Sequence, residues 1–292
     1  MRDGKRGIVA FYEEFQKIAD VFRHVRPAHA GGDLLVNLRG VAVRYEGRQA
    51  LDAVDLQVLH GERIGIVGPN GAGKSTLFKV IAGVLQPNEG EVQISGSSPT
   101  RHTCVAYVPQ RSSVDWNFPV TVAEVVMMGR VDRMGLFRWP SKHDWDVVYA
   151  ALDKVGLSGL AGRQIGQLSG GQQQRMFLAR ALAQEAELIL LDEPFTGLDA
   201  PSQDGILAIL DDLHQNHVTL MVSLHDLELA AQRFERILLL NHRIVASGAA
   251  TDVLHPNILT QAYGGHLHMA QTSDGFIALG DSCCDDGEHQ YD

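Results

Sequence analysis

Cysteine is scarce in this chain. Three cysteines in 292 residues, Cys104, Cys283 and Cys284, give no disulfide framework. Long hydrophobic runs are absent, and none approaches the roughly 18 consecutive apolar residues of a membrane-spanning helix. The basic start, Met1-Arg2-Asp3-Gly4-Lys5-Arg6, is not followed by the apolar stretch of a signal peptide, so the expected compartment is the cytoplasm. Positive charge is in deficit. Lys and Arg number 25 against 35 Asp and Glu, for a net charge of −10 and a pI near 5.7. That balance argues against global attraction to nucleic acid or anionic lipid and leaves room only for a local patch. No internal repeat is visible. What is present is ordinary globular material, 45% hydrophobic and 21% charged, enough for a sizeable core. The length is generous for one domain and short for two large ones.

Against this background one stretch stands out, Gly68-Pro69-Asn70-Gly71-Ala72-Gly73-Lys74-Ser75-Thr76. It fits the phosphate-loop pattern G-x-x-x-x-G-K-[ST] at every fixed position. Its flanks fit as well: Arg63 to Val67 reads as a short buried strand, and Ser75 to Val84 as a helix with apolar Leu77, Phe78, Val80 and Ile81. Gly68, Gly71 and Gly73 let consecutive N–H groups turn toward an anion, and the helix N-terminus adds partial positive charge at the same place. Lys74 supplies a full charge for the outer phosphates, and Ser75 a hydroxyl for a magnesium ion bridging them.

The rest of the chain reads as an α/β protein in three parts. Residues 1–33 form an N-terminal extension. Ile8, Phe11, Tyr12, Phe15, Ile18, Ala19 and Phe22 recur at helical spacing, which predicts one amphipathic helix packed on its own domain or on a partner subunit. Pro27 to Gly32 is a linker by composition. Residues 34–265 carry the main domain. Strands are predicted over Leu34–Leu38, Val41–Tyr45, Ala50–Leu59, Glu91–Ile94 and Cys104–Val108. Strand signals vanish from Thr121 to Gln184, where Val122–Met128, His143–Val155 and Gly170–Ala183 read as helices, a helical subdomain over about 119–183. Glu187–Leu191 is then a continuous apolar strand of the kind buried on both faces of a parallel sheet. A helix (Pro201–Asn216), a strand (Val218–Ser223), a helix (Leu227–Phe234) and two strands (Arg236–Leu240, Ile244–Ala246) complete the core. Cys104 reads as a small core residue rather than a ligand.

Several side chains stand at the carboxyl ends of these strands, where open parallel sheets bind ligands. Asp192 and Glu193 follow the apolar strand directly. Two acids beside a phosphate loop allow a division of labour, Asp192 holding magnesium through its water shell and Glu193 taking a proton from the attacking water. His225 lies past the next apolar strand, placed to sense or polarise the terminal phosphate. Gln110 ends another strand, its amide within reach of the metal or its water. Elsewhere, Leu168-Ser169-Gly170-Gly171-Gln172 precedes the helix that runs to Ala183. Ser169 is placed as an N-cap, making a second anion-binding helix terminus. One chain has one lysine loop and no need of two phosphate sites. The simplest arrangement pairs two copies head to tail, each offering this terminus to the other's nucleotide.

At this point the sequence resembles the ATP-binding-cassette (ABC) ATPases, from about Leu35 to Gly248. Gly68 to Thr76 resembles the Walker A loop, Gln110 the Q-loop, and Leu168 to Gln172 the family's signature motif. Leu188 to Pro194 resembles Walker B with its catalytic glutamate, Glu193. Gly197-Leu198-Asp199 is similar to the D-loop, His225 to the switch histidine, and Tyr45 to the aromatic residue stacked on adenine. Thr196-Gly197 replaces the frequent serine-alanine, and Leu224 stands where a threonine is common; neither position carries the chemistry. The resemblance implies a P-loop NTPase core with a parallel sheet, an antiparallel β-subdomain and an inserted helical subdomain. It also implies ATP with Mg2+, a homodimer closed around two nucleotides, and a separate integral membrane permease. The chain would then be peripheral to the cytoplasmic face of the membrane, with an extracytoplasmic substrate-binding protein as an indirect partner and nucleic acid as none.

Tyr107 to Val122 and Met127-Met128-Gly129-Arg130 resemble the manganese and zinc importer branch of that family. Iron chelate or another small solute is the alternative cargo, and a soluble ABC ATPase acting on ribosomes or DNA the alternative class. Trp116 and Phe118 are suited either to anchoring a partner helix or to filling a small core in the helical block. Residues 266–292 form an acidic tail carrying His266, His268, Cys283, Cys284 and His289 among Asp281, Asp285, Asp286 and Glu288. Its ligand types suit a transition metal, but adjacent cysteines are not the spacing of a structural zinc site, and a mobile acidic tail is the other reading.

Overall fold

The computed structural model of the chain describes residues 33–99, 104–134 and 139–264, together with the backbone of 267–272 and 275–280. The predicted N-terminal helix and linker lie outside the described residues.

Short aliphatic runs make the central sheet. β3 (Arg63–Val67) and β6 (Leu188–Leu191) are buried at every residue, the pattern of strands covered on both faces. With β5 (Val105–Val108), β7 (Thr219–Ser223), β8 (Arg236–Asn241) and β9 (Arg243–Gly248) they form a six-stranded sheet in the order β5-β6-β7-β3-β8-β9. The first five strands in that order run parallel, and β9 is an antiparallel edge. Alternation sends successive side chains to opposite faces. Leu188 and Leu190 join one core with Ile64, Ile66, Leu238 and Leu240. Ile189 and Leu191 join another with Leu220, Val222, Ile237 and Leu239.

The first of these faces is covered by α1 (Lys74–Ile81) and by a three-stranded antiparallel sheet, β2-β1-β4, built from β1 (Leu34–Tyr45), β2 (Arg48–Leu59) and β4 (Glu89–Ile94). The two strands expected between Leu34 and Tyr45 are one strand. Gly40, at φ +56, lies within a register irregularity between Leu38 and Val41 and lets the ladder continue past it. Cys104 is half-buried against this core. Burial, reinforced by the nearby Glu187 carboxylate, pushes its thiol up to about 11, in keeping with a packing role.

The other face carries α2 (Val122–Met127), α3 (Lys142–Lys154) and α4 (Gly170–Ala183), which share its core with α5 (Ala200–Gln215). Each of these three helices starts on a reciprocal cap: Thr121 with Glu124, Ser141 with Asp144, Ser169 with Gln172. In each, the hydroxyl accepts the third helical N–H while that residue's side chain accepts the cap's own N–H. A buried charge cluster ties parts of the helical block to the turn that follows it. Arg130 donates to Asp144 (3.2 Å), Glu185 (2.8 Å) and the Ala183 carbonyl (3.0 Å), and Arg133 adds a second cation at Glu185. Trp116 and Phe118 divide between their two readings. Trp116 packs edge-on against Phe177, ring centres 5.7 Å apart, whereas Phe118 is exposed.

After α6 (Leu227–Arg233) and the β8–β9 pair, α7 (Pro256–Tyr263) returns to the sheet. Part of the stretch read as an acidic tail is regular structure: β10 (Leu267–Thr272) pairs antiparallel with β11 (Gly275–Gly280). Leu267, Met269, Phe276, Ile277 and Leu279 give these strands β-forming content that an overall acidic composition hides. Cys283, Cys284 and His289 lie outside the described residues.

Candidate functional site

Parallel register brings the site together. Val108 pairs with Leu191, Leu191 with Val222, and Ile66 with Ser223. The residues that follow, Gln110, Asp192, Glu193 and His225, together with the Gly68 loop after β3, therefore emerge along one edge of the sheet. This is where the sequence placed them.

The phosphate loop is tightly framed. A side chain at Gly68 would collide with the Leu240 carbonyl, and one at Gly73, at φ +97, with the Ala50 carbonyl. Gly71, at φ +79, faces open space. Gly73 is the N-cap of α1, so the free N–H groups of its first turn lie beside Lys74, Ser75 and Thr76. The Lys74 ammonium is buried and folds back on the loop, donating to the carbonyls of Gly68 (2.7 Å) and Pro69 (3.2 Å). Burial pulls it below its ordinary pKa, while the charges of Glu193 and Asp192 pull it the other way.

The loop is also braced from outside. The His242 N–H, in the β8–β9 turn, donates to Ala72 O at 2.8 Å, and Asn241 donates to Ala262 O at 2.9 Å. The Tyr263 phenol is hydrogen-bonded to the Gly68 backbone; burial raises its pKa to about 12, which keeps it neutral. The sequence offered no sign of this contact, because Tyr263 and Gly68 are distant in the chain and meet only through the β3–β8 pairing.

The acids are held from several sides. Asp192 is buried, with one oxygen accepting from Ser223 Oγ at 2.8 Å and the other from the Tyr107 hydroxyl at 3.2 Å. Glu193 has a left-handed backbone, φ +49. Its carboxylate accepts from Gln110 Nε2 at 2.7 Å and meets His225 Nε2 at 2.5 Å. The His225 hydrogen bond, aided by the charges of His225 and Lys74, outweighs burial and lowers the Glu193 pKa. The group is thus kept as a carboxylate, able to accept a proton. Ser223 and Tyr107 were not singled out from sequence; they stand last and next to last in apolar strands, and only strand pairing reveals what they face.

The remaining candidates have no hydrogen bond to this cluster among the described residues. Ser169 is exposed and caps α4, accepting the Gln172 N–H at 3.4 Å, with Gly171 buried against Ser202. Asp199 precedes α5 as its N-cap residue, without a side-chain capping bond. Tyr45 is exposed at the end of β1. One link crosses between the two regions. Arg111, next to Gln110, donates through Nε to Gln173 in α4 at 2.6 Å, joining the strand end that touches Glu193 to the helix that Ser169 caps.

Comparison with known proteins agrees with this geometry. The ABC transporter family profile matches residues 51–196. The chain is 47% identical over 233 residues to the manganese transport system ATP-binding protein MntB of Bacillus subtilis, covering 80% of this chain and 93% of that one. It is 43% identical to the zinc transport system ATP-binding protein TroB of Treponema pallidum, covering 80% and 88%. Among solved structures, a metal-chelate type ABC transporter in an inward-facing conformation aligns with a TM-score of 0.72 at 29% identity, over 85% of this chain and 98% of that one. A dimeric ATP-binding cassette bound to ADP and phosphate aligns with a TM-score of 0.65 at 28% identity, over 74% and 99%. The chain belongs to the ABC transporter family, as one of its ATP-binding cassettes.

Proposed function

We propose that this chain is the ATP-hydrolysing subunit of an importer for manganese or zinc, working at the cytoplasmic face of the membrane on a separate integral permease. The carrying observation is its 42–47% identity to ATP-binding proteins of manganese and zinc transport systems. In the reaction, Glu193 takes a proton from the attacking water while His225 steadies the terminal phosphate. Lys74 leaves the Gly68 and Pro69 carbonyls for the outer phosphates, and Tyr45 stacks on the adenine. Ser75, Gln110 and Asp192 are oxygen donors of the kind magnesium prefers; the doubly anchored Asp192 carboxylate fits such an ion. When bound with nucleotide, magnesium would supply positive charge against the negative charge that develops on the outer phosphates.

Gln110 donates its amide N–H to Glu193 and keeps its carbonyl oxygen for the ion, so metal binding would shift it. Its neighbour Arg111 would carry that movement through Gln173 to the helical block, and from there to the permease. In the dimer, Leu168, Ser169, Gly170, Gly171 and Gln172 of one copy cover the nucleotide of the other, with Asp199 at the seam. An extracytoplasmic binding protein delivers the ion.

A chelated-iron cargo is the second reading, supported by 39% identity over 254 residues to the chelated iron transport system protein YfeB of Yersinia pestis. The test is ATP-driven uptake in vesicles carrying this chain and the permease that co-purifies with it. Manganese or zinc uptake, lost in Glu193→Gln while ATP binding survives, is expected. Uptake of iron chelate alone would favour the second reading, and turnover persisting near the parent rate in Glu193→Gln would remove Glu193 from the base role.

A further inference from the structure

We propose that Ser223 is a positioning residue: its single hydroxyl sets the geometry of Asp192 and Glu193 relative to each other, and with it the alignment of the metal-side acid and the base. This rests on the roles proposed above for those two acids.

Ser223 is the last residue of β7 and is fully buried. Its Oγ accepts the Glu193 N–H at 2.8 Å and donates to Asp192 Oδ1 at 2.8 Å. The direction of both bonds is forced. A backbone N–H can only donate, so the hydroxyl proton is free for the carboxylate. One atom therefore holds the backbone of one acid and the side chain of the other. The Glu193 backbone is at φ +49, a conformation that a glutamate keeps only when its surroundings impose it. The N–H that Ser223 captures belongs to that residue, so the bond acts directly on the conformation that aims the Glu193 side chain at Gln110 and His225. Tyr107 holds the second Asp192 oxygen, but it makes no bond to Glu193 among those of the described residues. Among the described residues, Ser223 alone hydrogen-bonds to both acids.

A buried serine that merely filled space would matter for stability and nothing else. A bridging serine matters for chemistry and for the benefit that magnesium brings. The experiment uses the full chain carrying Ser223→Ala or Ser223→Cys, the second keeping the volume while weakening both hydrogen bonds. Steady-state ATP hydrolysis gives kcat and KM, and binding of trinitrophenyl-ATP with and without magnesium gives the gain in affinity that the metal supplies. Thermal melting confirms that each variant is folded.

The expected result is a fall in kcat of about 10- to 100-fold, the usual effect of removing a partner that orients a metal ligand. KM should change little, the magnesium-dependent gain in affinity should shrink, and metal-free nucleotide binding should match the parent. Parent-like kcat and magnesium gain in either folded variant would overturn the proposal. So would loss of metal-free nucleotide binding in both, which would make Ser223 a packing residue. Glu193→Gln runs alongside as the control. If that variant turns over like the parent, the base assignment fails and this inference with it. If it is inactive while the Ser223 variants are parent-like, only the role of Ser223 fails.

Discussion

Glu193 occupies a left-handed backbone conformation that costs a non-glycine residue of the order of 1–3 kcal/mol. Its surroundings offset that cost with a hydrogen bond from Gln110, one from the Glu193 N–H to Ser223 and a contact with His225. Ser169 presents the opposite case. It is exposed at the start of α4, where it exchanges hydrogen bonds with Gln172 and its carbonyl accepts the Gln173 N–H. A bulky cation there leaves the lysine loop of the same chain untouched but blocks the approach of a second copy. Ser169→Arg is therefore expected to bind nucleotide like the parent and to lose hydrolysis, both measurable with a fluorescent nucleotide and a phosphate-release assay. Normal hydrolysis in that variant would place the signature terminus outside the reaction. At this scale the sequence was readable wherever a residue's position follows from where a strand ends, as for Asp192, Glu193, Gln110 and His225. It was silent on Ser223, Tyr107, Tyr263 and the Arg111–Gln173 link, because those contacts are created by pairing between segments far apart in the chain.

The helical block depends on an element-scale device, the cluster of Arg130, Asp144, Glu185 and Arg133. Arg130 and Glu185 are both nearly inaccessible to water. Breaking a buried ion pair from one side leaves the other charge stranded and costs about 3–5 kcal/mol. Arg130→Ala is expected to lose about that much on denaturant unfolding, while Arg133→Ala, at a more exposed position, loses under about 1 kcal/mol. Equal losses would mean that the cluster is not buried as described.

Asp144 adds a pH dependence. Burial opposes its ionisation, but hydrogen bonds from Ser141 and Arg130 win, so its folded pKa lies below the ordinary value. The stability it contributes is present above the unfolded value of about 3.9 and lost as pH falls through the folded one. Asp144→Asn should thus be less stable than the parent at pH 7, with the gap closing below about pH 4 in urea titrations. A gap that stays constant with pH would exclude this linkage. Elements with strong local signals, such as the fully apolar β3 and β6, were legible in sequence. The single strand Leu34–Tyr45 was not, since Gly40 reads as a break where the ladder absorbs it. The β10–β11 hairpin was not either, because acidic residues around it dominate the composition.

For the whole molecule, the parallel sheet gathers the phosphate loop, the acid pair, Gln110 and His225 on one edge, while the exposed Ser169 at the capped α4 terminus has no hydrogen bond to any of them among the described residues. The resemblance and the periodicity together conveyed this layout. The sequence alone did not convey how the Arg111–Gln173 contact would join the two regions. The layout makes sense if two chains each complete the other's nucleotide site, and a dimeric cassette of the same fold is among the structural relatives. Sedimentation of the Glu193→Gln variant with and without magnesium-ATP tests this most directly. The account predicts a monomer without nucleotide, a dimer holding two ATP with it, and a return to monomer when Ser169→Arg is added. A monomer that stays monomeric while saturated with ATP would contradict it.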